Sequence, residues 1–172
     1  HKDGLRQGPG GADETRLAIR LSELKGVANL KIADIGCGTG ASTLVLAQEL
    51  DAQITAVDFL PEFLARLEDT AARAGVANHI TALSASMEAL PFSEGEYDAI
   101  WSEGAIYNMG FAAGIKAWRD YLKPNGILAV SELTWLTDQR PAELQQHWDR
   151  EYSEVDTASS KMAVLEQLGF SP

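Results

Sequence analysis

Short apolar runs and helix-spaced apolar residues alternate along this chain, and the alternation predicts βαβ units around a parallel sheet. Apolar stretches at residues 31–35, 53–57, 80–84, 97–102 and 126–133 predict five buried strands. Between the second and third, residues 61–74 carry Phe63, Leu64, Leu67 and Ala71 at helical spacing, with Leu60 just ahead and Pro61 suited to a first turn. Another helix is predicted to start near Ser42. Phe111, Ile115, Trp118 and Leu122 line one face of a further helix, and Lys123-Pro124-Asn125-Gly126 predicts a turn before the fifth strand. Residues 141–152 and 160–168 predict two later helices. At the front, Gly8-Pro9-Gly10-Gly11 predicts a flexible lead-in, taken to extend over residues 1–14. At the back, Gly169-Phe170 resembles the start of a strand where the sequence stops. An unfinished sheet edge is a liability, so a further C-terminal portion is expected outside residues 1–172.

Composition narrows this picture. At 172 residues, 45% hydrophobic and 23% charged, the chain fits one globular domain. The net charge of −11 argues against bare nucleic acid as a partner, because phosphate backbones require Lys/Arg surfaces. No apolar run approaches the roughly 20 residues of a membrane span. The single cysteine, Cys37, has no partner for an internal disulfide, which leads to an expected cytoplasmic location.

The strongest chemical signal is Asp34-Ile35-Gly36-Cys37-Gly38-Thr39-Gly40, between a predicted strand and a predicted helix. Glycines there allow a tight turn and close approach of a ligand to the backbone. Asp58 ends the next strand, where a carboxylate can take both hydroxyls of a ribose. Dinucleotide-binding loops share this logic, but their pattern is G-x-G-x-x-G, and this loop reads G-x-G-x-G. Asp34 ahead of the glycines also suits a ligand with a positive sulfonium and ammonium better than a pyrophosphate. A glycine-rich turn without a ligand is the plainer alternative.

These residues resemble the first motif of class I S-adenosylmethionine-dependent methyltransferases. Ala56-Val57-Asp58 is similar to their second motif, Leu90-Pro91-Phe92 with Tyr97-Asp98 to the stretch around their fourth strand, and Lys123 to Leu128 to their turn into strand five. Order and spacing match from about Lys31 to Glu132. Within the class, the chain is similar to ubiquinone/menaquinone-type small-molecule methyltransferases. Trp101 to Asn108 comes nearest to small bacterial methyltransferases of unassigned substrate. The resemblance implies a three-layer α/β/α sandwich with a Rossmann-like sheet of order 3-2-1-4-5, and a C-terminal antiparallel hairpin expected beyond this chain. It implies S-adenosyl-L-methionine as cofactor and a small-molecule methyl acceptor, with a homodimer left open.

By the same resemblance, Asp34, Gly36, Cys37, Gly38 and Gly40 would form the loop at the methionine end of the cofactor. Asp58 would bind the ribose, and Leu60 would pack on adenine. Ser86 stands where the family often has an Asp for the adenine amine, and its hydroxyl is a weaker acceptor; Met87 would cover the ring or belong to the core. Ser102 and Glu103 end strand four, facing the sulfonium and the acceptor. Glu103 is open to three roles (sulfonium stabiliser, acceptor ligand, base) or is a solvated loop acid. Tyr107, with Asn108, would wall the pocket, and Glu103 and Tyr107 are the candidate catalytic residues.

Methyl transfer is a displacement on carbon with the leaving group already in place, so positioning dominates and a base matters only for a protonated nucleophile. His79 precedes strand three, at the wrong end for catalysis; His147 lies on a later helix. Cys37 reads as packing for the turn rather than as a nucleophile. No metal spacing such as C-x-x-C or H-E-x-x-H occurs. A non-catalytic cofactor-binding module and a nicotinamide-dependent dehydrogenase are the alternatives.

Overall fold

The computed structural model describes residues 8–137 and 139–171. Five parallel strands form one sheet in the order β3-β2-β1-β4-β5: β1 (Leu30–Ile35), β2 (Ala52–Asp58), β3 (Ile80–Ser84), β4 (Tyr97–Glu103) and β5 (Leu122–Ser131). This is the sheet order the sequence implied. In β1 only Lys31 is exposed, because a parallel strand between two helical layers has no solvated face.

Helices α1 (Ala12–Leu21), α2 (Ala41–Glu49) and α3 (Pro61–Ala74) cover one face. Ile19, Leu46 and Ala71 pack there on Ile32, Ile54 and Trp101. Helix α4 (Phe111–Trp118) covers the other face, where Phe111, Ile115 and Trp118 pack on Ala33, Ile35, Val57 and Ile100. Beyond β5, a two-residue strand β6 (Thr134–Trp135), helix α5 (Ala142–Glu151), strand β7 (Asp156–Thr157) and helix α6 (Ala158–Gln167) complete the described chain. β6 pairs with β7, and α6 adds Val164 and Leu165 to the α4 side of the core.

Four points differ from the sequence reading. The lead-in ends earlier: α1 starts at Ala12, so residues 12–14 are helical, and residues 1–7 lie outside the described residues. Thr15, one turn before Ile19, occupies a fully buried position, and a polar residue there hides the apolar period. Leu122 is not the last residue of α4's face; a short 3₁₀ turn over Arg119–Tyr121 ends the helix, and Leu122 opens β5 opposite Tyr97. The Lys123–Gly126 segment is an irregularity inside that strand, with Asn125 at φ 62° and pairing resuming at Ala99 and Ile127. Gly169-Phe170 does not begin a strand among the described residues. Gly169, at φ 86°, donates to the Glu166 carbonyl and Phe170 N–H to the Leu165 carbonyl, which caps α6.

Candidate functional site

A cleft of about 520 Å³ opens at the carboxyl ends of β1, β2 and β4, where open α/β sheets bind ligands. Its floor is the loop after β1. Gly36 and Cys37 N–H both donate to the Val57 carbonyl at 2.9 Å, which pins the loop to the tip of β2. Asp58 fixes it further: one carboxylate oxygen accepts from Gly38 N–H at 2.8 Å, the other from Leu60 N–H at 2.9 Å. A carboxylate has about four lone-pair sites, so two remain for a ligand.

The glycines of this loop serve two different purposes. Gly36 (φ 74°) lines the cleft, and a Cβ there would collide with the Ala105 side chain. Gly40 (φ 88°) precedes α2, and its Cβ would run into Leu67 of α3. The first glycine lets two strand tips meet under the ligand space; the second lets α3 pack against the loop.

Of the residues singled out from sequence, Gly36, Cys37, Gly38, Asp58, Leu60, Ser86, Met87, Glu103 and Tyr107 line this cleft. Asp34, Gly40 and Ser102 do not. Asp34 is fully buried beneath the loop, on the α2 side of the sheet, because alternate residues of β1 face opposite layers. One of its oxygens accepts from Ser42 Oγ at 2.9 Å and Thr43 Oγ1 at 2.6 Å, so it anchors the first turn of α2. Ser102 is also fully buried and donates to the Ile35 carbonyl at 2.8 Å, tying β4 to β1. These three shape the cleft from behind.

Glu103 lines the cleft with both carboxylate oxygens engaged. One accepts from Trp101 Nε1 at 2.8 Å and the other from Thr15 Oγ1 at 3.1 Å. A buried indole N–H needs an acceptor, and Glu103 supplies it while holding α1 to β4. Tyr107 sits in a 3₁₀ turn (Ile106–Asn108) at the cleft wall, its ring 6.1 Å from that of Tyr152 in an edge arrangement. The loop carrying Ser86 and Met87 is held by Trp118 Nε1, which donates to the Met87 carbonyl at 3.1 Å. Ser86 Oγ accepts from Glu88 N–H at 3.3 Å, so that hydroxyl already closes its own turn.

Burial pushes the Cys37 thiol well above its ordinary pKa, and the nearby carboxylates of Asp34 and Asp58 add to the effect. The thiolate is disfavoured, in keeping with a packing role against Leu64 and Leu67. His79 touches the Ala52 carbonyl at the opposite end of the sheet, and His147 packs beside Trp148 away from the cleft. The sequence reading missed Thr39, Phe59, Phe63 and Glu88, all of which line the cleft. Phe63 was legible only as part of α3's apolar stripe. Among the described residues, the cleft lining holds three acids (Asp58, Glu88 and Glu103) and no Lys, Arg or His. Those residues also contain no group of three His, Cys, Asp or Glu placed to hold a metal, and no helix is long and apolar enough to cross a membrane.

Residues 32–126, which contain this loop and the strands around it, match the model of a methyltransferase domain family. The chain belongs to that family. It is 31% identical over 145 residues to the uncharacterized methyltransferase YodH of Bacillus subtilis, covering 83% of this chain and 61% of YodH. The domain superposes on YjhP of E. coli with a TM-score of 0.86 at 20% identity, covering 99% of this chain and 69% of that one. It superposes on a methyltransferase from Thiobacillus denitrificans, solved with S-adenosyl-L-homocysteine, with a TM-score of 0.83 at 19% identity, covering 97% and 67%. The chain spans about half the length of the curated relatives it matches.

Proposed function

We propose that this methyltransferase domain binds S-adenosyl-L-methionine in the cleft above the glycine loop and passes the methyl group to a small-molecule acceptor. The observation that carries the reading is Asp58. Its carboxylate lines the cleft at the tip of β2 and fixes the loop backbone through Gly38, with lone pairs left for two ribose hydroxyls. The cleft chemistry fits the cofactor. Three acids and no base among its described lining residues suit a cation carrying a sulfonium and an ammonium, and oppose a pyrophosphate.

When bound, the cofactor supplies an activated methyl on a good leaving group. The chain's part is to orient and to exclude water. Gly36 and Gly38 offer backbone to the methionine end, with Cys37 between them. Asp58 holds the ribose, and Leu60, Phe63 and Met87 enclose the adenine. Glu88, two residues beyond Ser86, brings to the cleft the carboxylate missing at that position. Asp34, Gly40 and Ser102 position the loop and strand tips from behind. Glu103 contributes negative charge beside the sulfonium. Its two hydrogen bonds favour that electrostatic role over proton abstraction, which needs a carboxylate within reach of the acceptor. Tyr107 walls the acceptor side.

The acidic balance opposes nucleic acid as acceptor, and a single buried cysteine suits a reducing, cytoplasmic setting. The direct test is thermal: S-adenosyl-L-homocysteine raises the melting temperature by binding the folded state. No shift at saturating ligand contradicts the proposal, and a shift without turnover over a broad set of acceptors indicates a non-catalytic binding module.

A further inference from the structure

The turn after β3 supplies one wall of the cleft. Ala85, Ser86, Met87 and Glu88 are consecutive, and all line it. Ala85 N–H donates to the Asp58 carbonyl at 3.2 Å, and past that point the chain leaves the sheet. The turn then closes on itself: Ala89 N–H donates to the Ser86 carbonyl at 3.0 Å and Glu88 N–H to Ser86 Oγ at 3.3 Å. Among the described residues, one hydrogen bond reaches residues 86–88 from outside the turn. It runs from Trp118 Nε1 to the Met87 carbonyl at 3.1 Å.

Trp118 is the last residue of α4, fully buried in the core between that helix and the sheet. It does not line the cleft and so meets no ligand there. Close packing fixes its ring, and the ring fixes the carbonyl it holds. Two side chains depend on where that carbonyl sits. Met87 reaches back over the glycine loop, its Cε 3.4 Å from the place a Cβ on Gly36 would take. Glu88, the next residue, is exposed at the cleft, and its carboxylate makes no hydrogen bond or ion pair among the described residues. Without the indole N–H, the Met87 carbonyl must find another donor, and water outside the turn is the nearest source.

We propose that Trp118 is a positioning residue for the base of the cofactor: by holding the Met87 carbonyl it sets Met87 over the adenine face and the Glu88 carboxylate at the adenine amine, so that the cleft selects adenine over a base with a carbonyl in place of that amine. This rests on the cofactor reading above. An ionised carboxylate accepts from an amine and has no proton to offer a carbonyl oxygen, so the base preference reports where Glu88 stands. Trp118 acts on that preference through the turn alone.

Calorimetry on the intact protein compares S-adenosyl-L-homocysteine with S-inosyl-L-homocysteine, whose base carries the carbonyl. The parent should favour the adenosyl ligand about tenfold or more. Trp118→Phe keeps a buried ring and deletes the donor, and the preference should fall to within about threefold, chiefly through lost adenosyl affinity. Glu88→Gln, at an exposed position, should remove the preference as well. Adding Trp118→Phe to it should then remove no more, because both act through one turn. A purely structural Trp118 lowers both affinities alike or adds its full effect to that of Glu88→Gln, and either result overturns the proposal. Should Trp118→Phe fail to fold, hydrogen exchange of the Trp118 indole N–H in the parent decides. It should slow about threefold or more on saturation with the adenosyl ligand relative to the inosyl ligand; equal rates overturn the proposal. A parent that binds both ligands alike overturns it too and leaves the cofactor reading standing, whereas a parent that binds neither overturns both.

Discussion

Asp58 accepts a 2.8 Å hydrogen bond from the backbone N–H of Gly38, which joins the tip of the second strand to the centre of the glycine loop. The same carboxylate therefore shapes the floor of the cleft and faces its occupant. Asp58→Ala removes the proposed ribose contact and the hydrogen bonds that Gly38 and Leu60 donate. It should cost roughly 2–4 kcal/mol of cofactor binding, more than tenfold in affinity, as expected for charge-assisted hydrogen bonds. Isothermal calorimetry with S-adenosyl-L-homocysteine checks this, and an unchanged affinity would mean that Asp58 serves the loop alone.

Gly36→Ala should damage the fold more than ligand binding chemistry alone would suggest. The added methyl meets Ala105 at a φ of 74° that disfavours side chains. Overpacking and backbone strain together predict a loss of about 2–4 kcal/mol. Urea unfolding measures it; a loss under about 0.5 kcal/mol would show that the strand tips part easily.

Glu103→Gln keeps the shape but weakens the bonds from Trp101 and Thr15. A destabilisation of about 1 kcal/mol is expected in urea, because the charge-assisted bond from Trp101 becomes a neutral one and the Thr15 hydroxyl must turn from donor to acceptor. Stability equal to the parent would show that Glu103 is not needed to hold α1 on β4.

Asp98 gives a pH dependence with a defined sign. Burial alone would raise its pKa, but the hydrogen bonds from Lys123 Nζ and Lys31 N–H, both 2.8 Å, outweigh it, and the net shift is downward. A carboxylate depressed in the folded state adds stability that is present above its unfolded pKa and is lost as pH falls through the folded value. Lys123 is well exposed, so the contribution is about 1 kcal/mol or less. Asp98→Asn should flatten the fall in stability below roughly pH 4 seen in the parent; identical acid unfolding profiles would remove Asp98 from the account.

Much of this was legible before any coordinates. The five strands and α3 follow from apolar runs and a 3.6-residue period, since buried parallel strands and amphipathic helices leave those marks. Gly36, Gly38 and Asp58, which line the cleft, were legible from the same motifs; Met87, left open between ring cover and core, lines the cleft and also packs on the core. Asp34 and Gly40 are expected at the cofactor as members of the loop motif and Ser102 as the tip of strand four, whereas strand alternation turns Asp34 beneath the loop, Leu67 claims the space beside Gly40, and Ser102 is buried against the Ile35 carbonyl. Helix α1 was hidden by Thr15, a polar residue at a core position that exists to reach Glu103. The ion pair of Glu132 with Lys161, whose ammonium lies over the Phe111 and Tyr152 rings, had no sequence signature, because its members come from the residue after β5, the first turn of α4, the residue after α5 and the first turn of α6.

The central claim is that the acidic cleft above the glycine loop, without Lys, Arg or His among its described lining residues, takes an S-adenosyl ligand rather than a dinucleotide. The measurement that tests it most directly is a pair of calorimetric titrations of the purified protein, one with S-adenosyl-L-homocysteine and one with NAD. The account predicts saturable, one-to-one binding of S-adenosyl-L-homocysteine and no heat of binding with NAD. Saturable binding of NAD, with none for S-adenosyl-L-homocysteine, would contradict it.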